Sequence, residues 1–291
     1  MPELPEVEVV RLGLLPAVTG ATISSVEVLD VRSVARHEQG VQDFEARLTG
    51  AMLEAPERRG KFLWIPIRET NTALGIHLGM SGQVLLRESG AAPRSHTRIR
   101  FEIDRGSDPE LVNPALRTLA VHFDDQRIFG SVTVAPLVDG VPEHVLHIAR
   151  DPLDPLFDDE AFVERLRRGT RGIKSAILDQ GLISGIGNIY ADEALWAARL
   201  HYLTPVNRVS KKKAFELLDQ VRLVLEKALA EGGTSFDAQY VNVNGNSGYF
   251  SHSLNAYGQQ GKPCPRCATL IVREQWANRS SHRCPKCQKK R

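Results

Sequence analysis

The 291-residue sequence has no run approaching the ~18 uninterrupted apolar residues of a membrane helix, which excludes a helical membrane span. It also lacks net charge: 37 Lys and Arg face 35 Asp and Glu, a balance of +2, so the whole chain gives no reason to expect a polyanionic partner. The N-terminus lacks the basic-then-apolar pattern of a signal peptide and carries Glu3 and Glu6 instead, so a cytoplasmic protein is expected. Cysteine is scarce at 4 residues, all close to the C-terminal end. What is present, 42% hydrophobic and 25% charged residues, is ordinary globular composition and excludes a disordered chain. The length lies where single cores stop growing, so two or three modules are expected.

The scarce cysteines are informative. Cys264, Cys267, Cys284 and Cys287 form two C-x-x-C pairs separated by sixteen residues, a spacing that lets four thiolates close a tetrahedral site. One structural Zn2+ is expected. The alternative, a pair of disulfides, needs an export signal that this N-terminus does not carry. Between the pairs, 269–273 and 276–283 read as two strands around a turn, a hairpin small enough to engage a duplex groove. Charge concentrates here: residues 258–291 hold nine basic side chains and one acid, which leaves the first 257 residues with a balance of −6. Such asymmetry points to nucleic acid or a membrane surface, although a basic tail alone is often only solvated.

Upstream, 211–231 reads as a long helix with Phe215, Leu218, Val221, Leu225 and Leu229 on one face. Two shorter helical patterns, 173–180 and 189–199, flank a loop with Gly181, Gly185 and Gly187. A glycine-rich loop opening a helix offers free amides for a phosphate, or is a simple interhelical turn. Residues 136–158, with four prolines, read as a linker. The first half carries one amphipathic helix, about 4–17, and then short β-rich runs at 23–31, 62–67, 73–77, 83–87, 97–103, 118–123 and 131–134, the pattern of a sandwich.

The N-terminus itself carries two readings. Removal of Met1 would expose the secondary amine of Pro2, and an α-amine, with a pKa of ~7.7–8.0, is partly neutral and nucleophilic near pH 7. Attack on a sugar aldehyde carbon would give an iminium, with Glu3 beside it as a proton donor. Equally, Pro2, Glu3 and Glu6 suit the start of a helix by geometry and dipole.

Six motifs bear on that choice: the opening Met-Pro-Glu-Leu-Pro-Glu, Arg58-Arg59-Gly60-Lys61, His77-Leu-Gly-Met80-Ser-Gly82, Gln126-Arg127-Ile-Phe129-Gly130, Gly185-Ile-Gly-Asn188-Ile-Tyr-Ala191 and the four-cysteine hairpin. In this order and along essentially the whole chain they resemble bacterial formamidopyrimidine-DNA glycosylases. The resemblance implies an α+β multidomain fold: an N-terminal β-sandwich with a flanking helix (1–135), the linker (136–158), a helix–two-turns–helix domain with a lesion-covering loop (159–257) and a zinc finger (258–291). It implies a monomeric enzyme that removes 8-oxoguanine and formamidopyrimidines from double-stranded DNA and then cleaves the strand. By motif, Pro2 would be the nucleophile, Glu3 the acid and Glu6 its support. Lys61 would bind phosphate and assist β-elimination, Asn188 and Arg279 would hold flanking phosphates, and Arg279 would serve the second elimination. His77 and Lys174 are further phosphate candidates. Met80, Arg127 and Phe129 match the trio that fills the space left by an extruded nucleotide, and 243–250 matches the covering loop, expected to be mobile.

Two positions depart from the pattern. Ile128 stands where a second arginine is common, and the alignment of His96 with a DNA-contacting histidine is loose. Two other functions remain to be separated by experiment: an endonuclease VIII-like enzyme for oxidised pyrimidines, against which Leu4 and the complete trio argue, and a zinc-ribbon DNA-binding protein that has lost the chemistry.

Overall fold

The computed structural model describes residues 2–106, 117–234, 243 and 248–290. They form two compact units. The first comprises 1–2, 6–147 and 235–248, the second 3–5, 148–234 and 249–291. The four-cysteine hairpin belongs to the second.

The first unit opens with helix α1 (Leu4–Val18), followed by β1 (Thr22–Val28), α2 (Gly40–Leu48), β2 (Glu57–Arg59), β3 (Phe62–Pro66), β4 (Thr72–His77), β5 (Gly82–Glu88), β6 (Thr97–Asp104), β7 (Thr118–Asp125), β8 (Ser131–Val138) and β9 (Val141–Pro142). These strands make two antiparallel sheets, ordered β1-β6-β7-β5 and β2-β3-β4-β8-β9. Alternation drives the packing: in β6, Thr97, Ile99, Phe101 and Ile103 are buried while the residues between them are half-buried. Inner faces of both sheets share one core with Val7, Val10, Leu14 and Val18 of α1, so the expected sandwich with a flanking helix is present. Each such Leu, Ile or Val contributes about 1.5–3 kcal/mol through burial.

The second unit contains α3 (Asp159–Leu166), α4 (Ile173–Ile177), α5 (Asn188–Ala197), α6 (Lys211–Ala230), and the hairpin β10 (Val272–Trp276) and β11 (Arg279–Arg283). Its core draws on all four helices together with Leu4. Asp158 caps α3, its carboxylate accepting from Ala161 N at 2.9 Å, and Ser210 caps α6 in the same way. No described helix is long and apolar enough to cross a membrane.

Three sequence expectations shift. Helices α2 and α3 and strand β2 are additional; α2 and α3 are short, and each buries only two or three residues, too few to show a period. Strand β8 continues through Val138 and pairs with β9 inside the expected linker, where Pro142 is tolerated because β9 is a sheet edge. The hairpin's first strand lies three residues later than expected, because Trp276 pairs with Arg279 across a two-residue turn in which Ala277 takes φ +50°.

Candidate active site and nucleic-acid interface

In the second unit, the N-terminal segment is built into the glycine loop. Leu4 N donates to Gly185 O at 2.9 Å, and Gly185, at φ +89°, leaves room where a Cβ would lie 2.6 Å from the Leu4 side chain. Glu3 is 2% exposed, and its carboxylate accepts from Gly187 N at 2.6 Å, Ile189 N at 2.9 Å and Tyr190 N at 3.4 Å. A Cβ on Gly187 would fall 2.3 Å from Glu3 Cδ, so only glycine admits the carboxylate at the start of α5. The loop, which the sequence left open as a phosphate site or a simple interhelical turn, thus has its amides occupied by Glu3. Pro2 is buried and belongs to the first unit.

Asn188 opens α5, and its Nδ2 donates to Ser280 O at 3.1 Å, which brings it to the start of β11. Lys174 corrects an expectation: it is 0% exposed, with its ammonium 2.6 Å from Asp192 Oδ1, 3.2 Å from Ser280 O and 4.8 Å from the Trp276 ring centre. It is an internal cation, not a surface lysine open to a phosphate. Burial lowers its pKa, the Asp192 carboxylate opposes that, and the Arg279 charge adds to it. Arg279 is exposed at the start of β11, one residue beyond the turn.

In the first unit, Lys61 sits in the two-residue turn between β2 and β3, where Gly60 takes φ +57°, as hairpin turns of this length demand. The hairpin is tied to α1 by Arg58, whose Nε lies 2.8 Å from Glu8, a carboxylate that Arg11 also grips at 2.7 Å. Burial pushes Glu8 up, but the two guanidinium groups prevail and hold it below its ordinary value. Glu6 is buried in the first turn of α1.

His77 pairs in register with Phe62, next to Lys61. Burial, with the charges of Arg36, Lys61 and His144, pushes its pKa down to about 4. The neutral ring accepts from Gly79 N through Nδ1 at 3.2 Å, so its proton sits on Nε2, a donor suited to a phosphate oxygen.

Met80 is 41% and Phe129 55% exposed, and the Arg127 guanidinium carbon lies 5.1 Å from the Phe129 ring centre. Core packing is thereby excluded for the two apolar members. Their loops are locked together by Asp125, 0% exposed, which accepts from Ser81 Oγ at 2.5 Å, Arg127 N at 3.2 Å and Gly130 N at 2.7 Å. Gly79, at φ +58°, lets the Phe129 backbone approach to where a Cβ would lie at 2.4 Å. Ile128 takes φ +56°, a strained conformation for a β-branched residue. His96 is exposed, and its carbonyl accepts from Asp125 N at 2.8 Å, beside the same loop.

The sulfur atoms of Cys264, Cys267, Cys284 and Cys287 all lie within 4.8 Å of one another, a closed four-thiolate set that fits one structural Zn2+. Trp196 Nε1 donates to Cys264 Sγ at 3.4 Å, and Cys287 N donates to Cys284 Sγ at 3.4 Å, as ligand sulfurs require of their surroundings.

Three family models match: the formamidopyrimidine-DNA glycosylase N-terminal domain over 1–132, the formamidopyrimidine-DNA glycosylase H2TH domain over 148–239, and the zinc finger found in FPG and IleRS over 261–290. The chain belongs to the formamidopyrimidine-DNA glycosylase family. It is 56% identical to the formamidopyrimidine-DNA glycosylase of Leifsonia xyli subsp. xyli, covering 99% of this chain and 100% of that protein, and 53% identical to that of Streptomyces avermitilis, covering 99% and 98%. Among solved structures, a Lactococcus lactis FPG mutant in complex with Fapy-dG containing DNA matches with 31% identity and a TM-score of 0.84 over 99% of this chain and 100% of that one. MutM in complex with carbocyclic 8-oxo-G containing DNA matches with 33% identity and a TM-score of 0.85 at the same coverage.

Sequence reasoning missed three buried carboxylates of this glycosylase-family chain: Asp125 in the first unit, and Asp192 and Glu193 in the second. Glu193, 2% exposed, accepts from Asn255 N, Ala256 N and Tyr257 N at 2.8–3.0 Å; burial raises its pKa despite those amides. A signal existed, since adjacent acids in the apolar helix Ile-Tyr-Ala-Asp192-Glu193-Ala-Leu-Trp have no solvent-facing reason to be there. Of the expected covering loop 243–250, only Val243 and 248–250 lie within the described residues.

Proposed function

We propose that this chain is a bifunctional DNA glycosylase and abasic-site lyase that removes oxidised purines, 8-oxoguanine and formamidopyrimidines, from duplex DNA, acting as a single chain in the bacterial cytoplasm. The observation that carries the reading is the seat of Glu3: a buried carboxylate next to Pro2 in sequence, held by the amides that open α5. Once Met1 is removed, the Pro2 nitrogen lone pair forms a bond to C1′ as the bond to the damaged base breaks; the base leaves with that electron pair and takes a proton from water, and the new ammonium gives up its N–H proton to the Glu3 carboxylate. Glu3 then delivers that proton to O4′ as the C1′–O4′ bond breaks, which leaves the cationic iminium between Pro2 and the opened sugar, a charge the regenerated Glu3 carboxylate complements. Loss of a C2′ proton then expels the 3′ phosphate, with Lys61 assisting, and a second elimination, assisted by Arg279, expels the 5′ phosphate. Asn188, His77 and Arg279 bind phosphates, which position the duplex without reading its sequence. Met80, Phe129 and Arg127 occupy the space vacated by the flipped nucleotide, with Arg127 donating to the orphaned base.

Borohydride trapping of Met1-processed protein on a panel of lesion duplexes tests this. Covalent adducts with 8-oxoguanine opposite cytosine are expected. Absence of any adduct would leave a DNA-binding protein without chemistry. Faster release of thymine glycol than of 8-oxoguanine would favour the oxidised-pyrimidine reading, a comparison worth making because a Lactococcus lactis FPG structure contains oxidised-pyrimidine DNA.

A further inference from the structure

We propose that Asp192 is a positioning residue that fixes the backbone from which Arg279 projects. Asp192 lies four residues after Asn188, one turn along the same face of α5. It is 1% exposed and accepts from four donors: Lys174 Nζ at 2.6 Å, Ser281 Oγ at 3.0 Å, His282 N at 2.8 Å and His282 Nδ1 at 3.1 Å. Lys174, held by that carboxylate, donates in turn to Ser280 O at 3.2 Å, and Asn188 donates to the same oxygen at 3.1 Å. Residues 280, 281 and 282, the three that follow Arg279, are therefore each tied to α5 directly or through Lys174.

The Arg279 side chain makes one hydrogen bond among the described residues, a long 3.4 Å contact with the neighbouring Asn278. Its placement is set by its backbone rather than by partners of its own. The four cysteines clamp the open end of the hairpin, and Asp192 supplies a second attachment near the turn.

The choice of helix matters. The amides that open α5 bind Glu3, and Asp192, four residues after Asn188 and about 6 Å along the axis at 1.5 Å per residue, binds β11. One rigid element thus spaces the group proposed to act at the sugar from the group proposed to act at the phosphate. A carboxylate is needed because a neutral residue would leave the Lys174 ammonium, 0% exposed, without a counter-charge.

The inference rests on the reading of Arg279 as the residue serving the second elimination, and its test separates the two. Products of an abasic-site duplex, β against β,δ, are quantified under single turnover for zinc-loaded Arg279→Ala, Asp192→Asn and Asp192→Asn combined with Arg279→Ala. Because Asp192→Asn strands a buried ammonium, Lys174→Met combined with Asp192→Asn serves as a neutral-pair control, with zinc content and melting temperature reporting the fold. Asp192→Asn is expected to lower the β,δ share about tenfold, since displacement by ~1 Å costs up to a hundredfold in such contacts. The neutral pair should do the same, and adding Arg279→Ala to Asp192→Asn should lower the share no further than Arg279→Ala alone. A normal product ratio in folded Asp192→Asn or in the folded neutral pair, when Arg279→Ala shifts it, overturns the proposal alone, as do additive losses. A normal ratio in Arg279→Ala overturns the reading of Arg279 and the proposal with it.

Discussion

In the first unit, Met80, Arg127 and Phe129 stand exposed on loops held from beneath by a single buried carboxylate, Asp125. In the second unit the charged groups are themselves interior: Glu3, Lys174, Asp192 and Glu193 are each no more than 2% exposed and are satisfied by backbone amides or by one another. The first arrangement lets the side chains proposed to enter a duplex change without disturbing the scaffold. The second couples chemistry to folding, because a buried carboxylate that loses its donors, or a buried ammonium that loses its acid, costs several kcal/mol.

That contrast can be broken experimentally, and removal of zinc should do so most strongly. Structural zinc sites bind with about 10–16 kcal/mol, so chelation should unfold the hairpin, abolish DNA binding and shift the fluorescence of Trp196, which donates to Cys264. The first unit should keep its own melting transition; tight DNA binding by verified zinc-free protein would show that Arg279 is not a principal clamp.

Gly187→Ala should come next. The added Cβ would lie 2.3 Å from Glu3 Cδ and would displace the carboxylate, lowering lesion excision about a hundredfold in kinetic assays. Near-normal excision would show that the observed seat of Glu3 is not the active one.

Asp125→Ala should destabilise the first unit by about 2 kcal/mol, because Gly130 N is left buried without an acceptor. Phe129→Ala, on the exposed loop, should shift stability by less than about 0.5 kcal/mol. Equal losses from the two in denaturant titrations would erase the distinction between presenting residues and the carboxylate beneath them.

A further effect concerns pH. His77 has a folded pKa of about 4 against an ordinary 6.5, so as pH falls the unfolded chain takes the proton first. Its contribution to stability is full above about 6.5 and is lost as pH falls towards about 4. Comparing wild type with His77→Asn across that window should show a shallower slope in the variant, and identical slopes would contradict the buried neutral imidazole.

Much was legible because it depends on local chemistry. The cysteine spacing specifies a closed metal site wherever the hairpin lies, strand alternation specifies a half-buried sheet, and the glycines flanking Met80 and Phe129 mark exposed turns. Short helices such as α2 lacked enough turns to establish a period, and the hairpin register depended on the Trp276–Arg279 pairing rather than on composition.

By itself, then, the sequence determined the modules, the thiolate set and the motif-bearing turns, since each follows from residue spacing within a few positions. Only the tertiary structure decided which polar groups are interior. Lys174 stands as a phosphate candidate until α5 places Asp192 beside it from 18 residues away, and the glycine loop reads equally as an anion site or a simple turn until Glu3 fills its amides from the other end of the chain. Burial and charge compensation arise between distant segments, and no local pattern carries them.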